Sequence, residues 1–452
     1  MAEAVQRQDG LVTPGVSTEP GHVSNSAMAT TLIGAHGLEH LYANSFQVFL
    51  PAIYDSLGLF PVQGAMLMAT RRLTGGLTSM FSGFFVDMFQ HRVGFVLAFS
   101  LFLIGAGYIL VSVSPTYGLI VAALAIASAG SALWHPPALG LLARRYPEKR
   151  GLLISLHRSF GNVGDLVGPV TVGALLSVVG WQLIMRGGTP LLFILAIIVA
   201  VFLRGVGGPK VQNLAVRENF MAQWRSLGAV FRAGGMLPIF IVSAVRGMGD
   251  GAVMFVIPLY LTRSIAEGGL EKSYFIMSIH VLLLAAPGIV SGPLFGALSD
   301  RIGRRPVISF IMAVSVILPV TIALGGSGAW MTFSVALFGL FHFAINSLTQ
   351  AAAIDLAEGK GLEATFIGLM WGSNSAFGVV SLLAAGILVG ALPETSFGWA
   401  MPSGFTGFGW HAGLYFGASM FFVGWLVSLI IPATGAPRQQ VNAGAASAGS
   451  TA

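Results

Sequence analysis

Twelve stretches of this chain stay apolar for long enough to cross a lipid hydrocarbon core of about 30 Å, a span that needs roughly 20 residues of helix. They fall near 28–54, 62–85, 93–113, 117–143, 151–179, 188–203, 236–262, 273–298, 306–325, 329–355, 363–391 and 409–432. Inside a bilayer no water satisfies backbone N–H and C=O groups, so such stretches fold as helices. Charge use agrees: 9% of the 452 residues are charged and 55% are hydrophobic, whereas water-soluble domains carry about a quarter charged residues. Cysteine is absent, which excludes a disulfide framework and a thiolate metal site.

The formal net charge of +6 is not a nucleic-acid signal, because its distribution follows the connecting loops. With both termini placed in the cytoplasm, sixteen of the 23 Lys and Arg residues fall on the cytoplasmic side, three on the outer side (Arg186, Arg263, Lys272) and four within spans (Arg71, Arg72, Arg158, Arg246). Cytoplasmic loops of membrane proteins carry such an excess. The start, MAEAVQRQDGLVTPG, lacks the charged, apolar and small-residue succession of a signal peptide. The expected organisation is a cytoplasmic tail (1–27), a six-helix bundle (28–203), a polar, basic cytoplasmic linker (204–235), a second six-helix bundle (236–432) and a cytoplasmic tail (433–452). Both tails are read as disordered from their low-complexity composition.

The two halves resemble one another. GFFVDMFQHR (83–92) follows the second span and GALSDRIGRR (296–305) follows the eighth, 213 residues later. Parallel repeats of this kind make two bundles around a site near the membrane midplane. The expected fold is therefore an all-α membrane protein with twelve transmembrane helices in two pseudo-symmetric six-helix bundles around a central cavity.

GALSDRIGRR also resembles the loop signature of the major facilitator superfamily of transporters, and FGNVGDLVGPV (160–170) resembles the Gly-Pro motif found on the fifth helix of many of its exporters. LIGAHGLEHLYANSFQ (32–47), GSALWHPPALGLLARR (130–145) and SFGNVGDLVGP (159–169) are most similar to the fosmidomycin-resistance protein group. The superfamily resemblance covers nearly all of 28–432; the subgroup resemblance lies in the first half. It implies a carrier in a bacterial inner membrane that moves a small organic anion or drug-like solute by alternating access. Proton-coupled efflux, as in drug resistance by antiport, is the first reading; proton-coupled uptake of organic acids and a non-transporting receptor on the same fold are the alternatives. The resemblance also implies a conformational latch at Asp87 and Arg92 in the first loop and at Asp300, Arg301, Arg304 and Arg305 in the second. The first loop departs from the pattern, with Met-Phe-Gln after Asp87 where the second has Arg301-Ile302-Gly303 after Asp300.

Charges inside the spans mark candidate sites, because each costs about 2.5 to 3.5 kcal/mol at a helix centre even on a lenient insertion scale. LMATRRLTGG (67–76) holds two adjacent arginines; consecutive helical residues diverge by about 100°, so one of Arg71 and Arg72 is expected to face the cavity while the other pairs with a neighbouring helix or reaches the cavity's rim. Arg246 and Asp250, four apart, share a face and either neutralise each other or serve the cavity. His36, His40 and Asn44 form one polar stripe beside Glu39. Under the repeat, Glu39 corresponds to Arg246, and the two are expected to face each other across the cavity. Candidate substrate-binding residues are thus Arg71, Arg72, Arg246, His40, Asn44 and Arg158; candidate proton-coupling residues are Glu39 first, then Asp165, which is expected to share a face with Arg158, and Asp250. The surplus of buried guanidinium over carboxylate favours an anionic solute, since Arg grips carboxylate or phosphonate with a bidentate fork. His280, His342, Asn346, Gln350, Trp371 and Asn374 are weaker candidates. Gly161, Gly164 and Gly168 suggest close helix packing, and His135-Pro136-Pro137 is expected to interrupt the fourth helix.

HGLEH (36–40) matches H-x-x-E-H, a zinc-protease pattern, but a catalytic zinc needs a third protein ligand and the sequence singles out none. No P-loop is present. No metal, other cofactor or catalytic residue is expected, and the partners expected are a small solute, protons and the lipid bilayer around a monomer.

Overall fold

The computed structural model of the chain describes residues 25–207, 235–357, 363–390 and 407–435. Thirteen α-helices and no strands lie among them. The first half contains α1 (Asn25–Ser56), α2 (Pro61–Met88), α3 (Val93–Val113), α4 (Tyr117–Arg145), α5 (Arg150–Leu176) and α6 (Trp181–Phe202). The second contains α7 (Met236–Thr262), α8 (Tyr274–Ala285), α9 (Gly288–Ile302), α10 (Arg304–Leu324), α11 (Ala329–Ala357), α12 (Glu363–Val389) and α13 (Trp410–Ser428).

Nine segments among the described residues are long and apolar enough to cross a membrane, with α8 and α9 counted as one run. The other three long helices, α1, α2 and α5, have 32, 28 and 27 residues. They are the helices that carry His36, Glu39, His40, Arg71, Arg72, Arg158 and Asp165, so their lower hydropathy has the same origin as the candidate site. Large apolar side chains such as Phe95, Ile197 and Val290 stand exposed on the outer faces, as lipid contact requires.

Packing follows the internal repeat. In the first half α1 lies against α5, α3 against α4 and α6, and α2 against α4. The second half repeats this with α7 against α12, α10 against α11 and α13, and α9 against α11. The halves meet through α2 with α12 and α5 with α8. Small residues set the closest approaches: a Cβ on Gly164 of α5 would sit 2.1 Å from the carbonyl oxygen of Gly37 on α1, so only glycine permits this crossing. At one end of the molecule Asp55 of α1 pairs with Arg263 at the end of α7 and accepts a hydrogen bond from Tyr274 of α8 at 3.1 Å.

Two expectations about helix continuity are corrected. Pro136 and Pro137 lie inside α4 and do not interrupt it. The eighth span is instead the broken one: α8 ends at Ala285 and α9 starts at Gly288, with Pro287, which has no N–H to donate, between them. Leu284 and Ala285 beside this break line the central cavity.

Candidate functional site

Between the halves lies a cavity of about 450 Å³, walled by α1, α2, α5, α7, α8, α11 and α12. Four charged side chains line it: Arg72, Arg246, Asp165 and Asp250.

Arg72 reaches from α2 across to α12, where its Nη2 donates to the Asn374 side-chain oxygen at 2.6 Å and to the Asn374 carbonyl at 3.1 Å. Its guanidinium fills a notch at Gly378, where a Cβ would lie 2.3 Å from Cζ. Among the described residues no carboxylate lies within ion-pair distance of it. Arg246 is one helical turn before Asp250 and pairs with it at 2.6 Å. Asp250 also accepts from His342 Nδ1 at 2.5 Å, and Arg246 donates to Asn346 at 3.2 Å while its buried Nε has no partner among the described residues. The sequence left two roles open for Arg246 and Asp250; in the structure they neutralise each other and also face the cavity. On the opposite wall Asp165 accepts from Asn44 and faces His40 Nδ1 at 2.8 Å.

The remaining sequence candidates lie elsewhere. Arg71 points away from the cavity: its Nη2 donates to the Ala43 carbonyl and its guanidinium lies 4.8 Å from the Phe46 ring centre. Arg158 is exposed on α5 and is not the partner of Asp165. Glu39 does not face Arg246. It is fully buried inside the first half, accepts from Ser131 at 2.5 Å and lies 3.7 Å from both His36 and His40. The helical rotation of α1 explains this: Asn44 and Gln47 face the cavity, while Glu39 turns toward α4. His135 is part of the same group, with Nε2 3.3 Å from His40 Nε2 and Nδ1 on the Ser131 carbonyl at 3.2 Å.

Of the weaker candidates, His342, Asn346, Gln350 and Asn374 line the cavity. His280 is held by Thr332 and the Ile276 carbonyl, away from it, and the Trp371 side chain lies outside the described residues. Sequence reasoning missed Gln47, whose amide donates to the Met254 carbonyl across the seam at 2.9 Å; it continues the stripe of His36, His40 and Asn44, so periodicity held the signal. In the second loop Asp300 pairs with Arg304, which also bonds Ser299 at 2.5 Å and reaches Asp355 at 3.2 Å. Arg301, Arg305 and Arg92 are exposed. The Asp87 side chain lies outside the described residues.

A family model, Major Facilitator Superfamily, matches residues 32–382, which hold both helical half-repeats up to the cavity-lining part of α12. The chain belongs to the Major Facilitator Superfamily. It is accordingly a multi-pass membrane transporter and not an enzyme. Its relatives in the superfamily include the fosmidomycin resistance protein of Escherichia coli (strain K12), 23% identical over 65% of this chain and 72% of that protein. Another is the uncharacterized MFS-type transporter YcxA of Bacillus subtilis (strain 168), 24% identical over 79% of this chain and 86% of that protein. Among solved structures, a bacterial homolog of the human lysosomal transporter Spinster, inward-facing and unoccupied, has a TM-score of 0.65 at 16% identity over 90% of this chain and 95% of that one. That likeness is one of fold.

Proposed function

We propose that the chain is a proton-coupled carrier of a small organic anion, with Arg72 and Arg246 receiving the anion and Asp250 receiving the proton. The single observation that carries this reading is the charge imbalance where Arg72 meets the cavity's second-half wall. Two guanidinium groups, Arg72 and Arg246, share one nearby carboxylate, Asp250, and one of them has only neutral oxygens as partners. A carboxylate or phosphonate entering there replaces amide and carbonyl oxygens with a charge-assisted, bidentate contact.

The geometry also supports one sign of coupling. While ionised, Asp250 competes with the cargo for Arg246. Protonation ends that competition, so proton and anion favour the same loaded state. The pair therefore move in the same direction, which makes proton-driven uptake the reading that the site supports best. Efflux by exchange is the second reading, supported by the resistance protein among the relatives.

The Lys and Arg distribution supports an inner-membrane topology with both termini in the cytoplasm. In that orientation the Asp55, Arg263 and Tyr274 contacts close the outer side. The deciding experiment is accumulation of labelled organic acids and phosphonates in proteoliposomes under pH gradients of either sign. Co-transport predicts accumulation only when the cargo-containing side is acidic, and exchange predicts the reverse. In either case Asp250→Asn is expected to abolish gradient-driven accumulation and to spare counterflow exchange. Unimpaired accumulation by that variant would remove Asp250 from the coupling.

A further inference from the structure

Outside the cavity, the first half holds a polar cluster that transport by the Arg72 and Asp250 wall does not use. His36, Glu39 and His40 from α1 and His135 from α4 place one donor atom each within 4.8 Å of one another. Glu39 is fully buried and His36 nearly so, at 0% and 3% exposure, yet Glu39 Oε2 and His36 Nδ1 have no hydrogen-bond partner among the described residues. An ionisable oxygen left bare in such surroundings is costly.

The outward-facing atoms of the cluster settle which lone pairs converge. His40 Nδ1 meets the Asp165 carboxylate at 2.8 Å and His135 Nδ1 meets the Ser131 carbonyl at 3.2 Å. A carboxylate and a carbonyl both accept, so each neutral ring carries its proton on Nδ1 and turns a lone pair inward at Nε2. Those two Nε2 atoms stand 3.3 Å apart. Two lone pairs at that distance repel unless a cation lies between them. Glu39 Oε2, 3.7 Å from His40 Nε2 and from His36 Nδ1, brings a full negative charge to the same point, and Ser131 fixes its other oxygen at 2.5 Å.

We infer that His36, Glu39, His40 and His135 form a binding site for one divalent transition-metal ion of the zinc class, tying α1 to α4. Zinc in tetrahedral sites bonds imidazole nitrogen at about 2.0–2.1 Å and carboxylate oxygen at about 2.0–2.2 Å, which places neighbouring donors roughly 3.3 Å apart. The spacings of 3.3 and 3.7 Å are close to that geometry, and the donors, which span up to 4.8 Å, draw together by side-chain rotation when an ion binds. Three imidazoles and one carboxylate suit zinc, cobalt or nickel, and neither calcium nor magnesium. The outer contacts follow the pattern in which a metal-bound histidine donates its other N–H to a carboxylate or carbonyl. Here Asp165 is that carboxylate for His40, and it also forms part of the cavity wall. The H-x-x-E-H pattern lacked a further ligand in the sequence because His135 lies 95 residues away on another helix.

The test uses the purified, untagged full chain in detergent, stripped with a chelator and titrated with Co²⁺, then with Zn²⁺ as competitor. The expected result is one Co²⁺ per chain with the intense visible bands of tetrahedral cobalt, displaced by Zn²⁺. X-ray absorption of the zinc form is expected to show nitrogen and oxygen neighbours with imidazole scattering. Glu39→Gln and His135→Gln are each expected to weaken binding more than tenfold, and Asp165→Asn by about 10- to 100-fold, as for other residues that orient metal ligands. Variants are compared only if they match the stripped wild type in gel filtration and thermal unfolding; the wild-type spectrum stands independently of them. Absence of tetrahedral bands in the wild type, which would leave a shared proton as the cation between the rings, overturns the site. Binding undiminished in both ligand variants does so as well.

Discussion

At the residue scale, adjacent arginines on α2 have separate fates. A rotation of about 100° gives Arg71 a carbonyl and an aromatic face inside the first half and gives Arg72 the cavity. Under the proposed function Arg72 grips the cargo with its planar fork, so Arg72→Lys is expected to weaken apparent cargo affinity by roughly 10- to 100-fold, the worth of one charge-assisted hydrogen bond of about 1.5 to 3 kcal/mol. Gly378→Ala is expected to reproduce that loss with the arginine intact, since the new Cβ, 2.3 Å from Cζ, displaces the guanidinium from its notch. Concentration dependence of counterflow in proteoliposomes checks both; a Gly378→Ala carrier with wild-type affinity would show that the notch has no part in recognition. The presence of Arg72 near the site was legible, because intramembrane charge is rare enough to stand out. Its orientation was not, because spans that face lipid on one side and protein on the other are apolar all round and periodicity loses its meaning. Glu39 was misplaced because the repeat aligned it with Arg246, and alignment carries no rotation.

At the scale of the elements, the α1 and α5 crossing rests on glycine. Gly164→Leu must either force the helices apart or bend them, and overpacking of that kind costs about 1 to 3 kcal/mol. Thermal unfolding of the detergent-purified protein is expected to shift downward, with loss of transport following from displaced Asn44 and Asp165. An unchanged unfolding temperature would mean that the crossing relaxes freely. The glycine spacing on α5 announced this packing in advance. Helix breaks were less readable, because proline in a membrane helix can be absorbed by neighbouring groups. The double proline in α4 is absorbed, and the single Pro287 parts α8 from α9 beside the cavity. Sequence shows where an N–H is missing but not whether a neighbouring helix compensates.

At the scale of the whole molecule, the halves are joined from the cavity to the Asp55 end. Asp55 receives Arg263 and Tyr274 from the other half, so Asp55→Asn is expected to shift the conformational population away from this closure. The chain contains no cysteine, so one introduced at Ser375 in the cavity wall is the sole labelling site. Its reaction with an impermeant thiol reagent applied from the Asp55 side is expected to rise several-fold in the Asp55→Asn background, and an unchanged rate would show that the pair does not control access. The two-bundle architecture was legible because a hydrocarbon solvent leaves few folds available and the halves repeat. This seam was not, since Asp55 lies in a part of the chain remote from Arg263 and Tyr274, with no local signal.

Arg72 belongs to one half and is anchored on the other through Asn374, so any rocking that parts α2 from α12 must tear those bonds. A guest that captures the guanidinium therefore loosens the hinge line by the same act. Under the proposed function, loading and unlocking are thereby coupled through a single side chain.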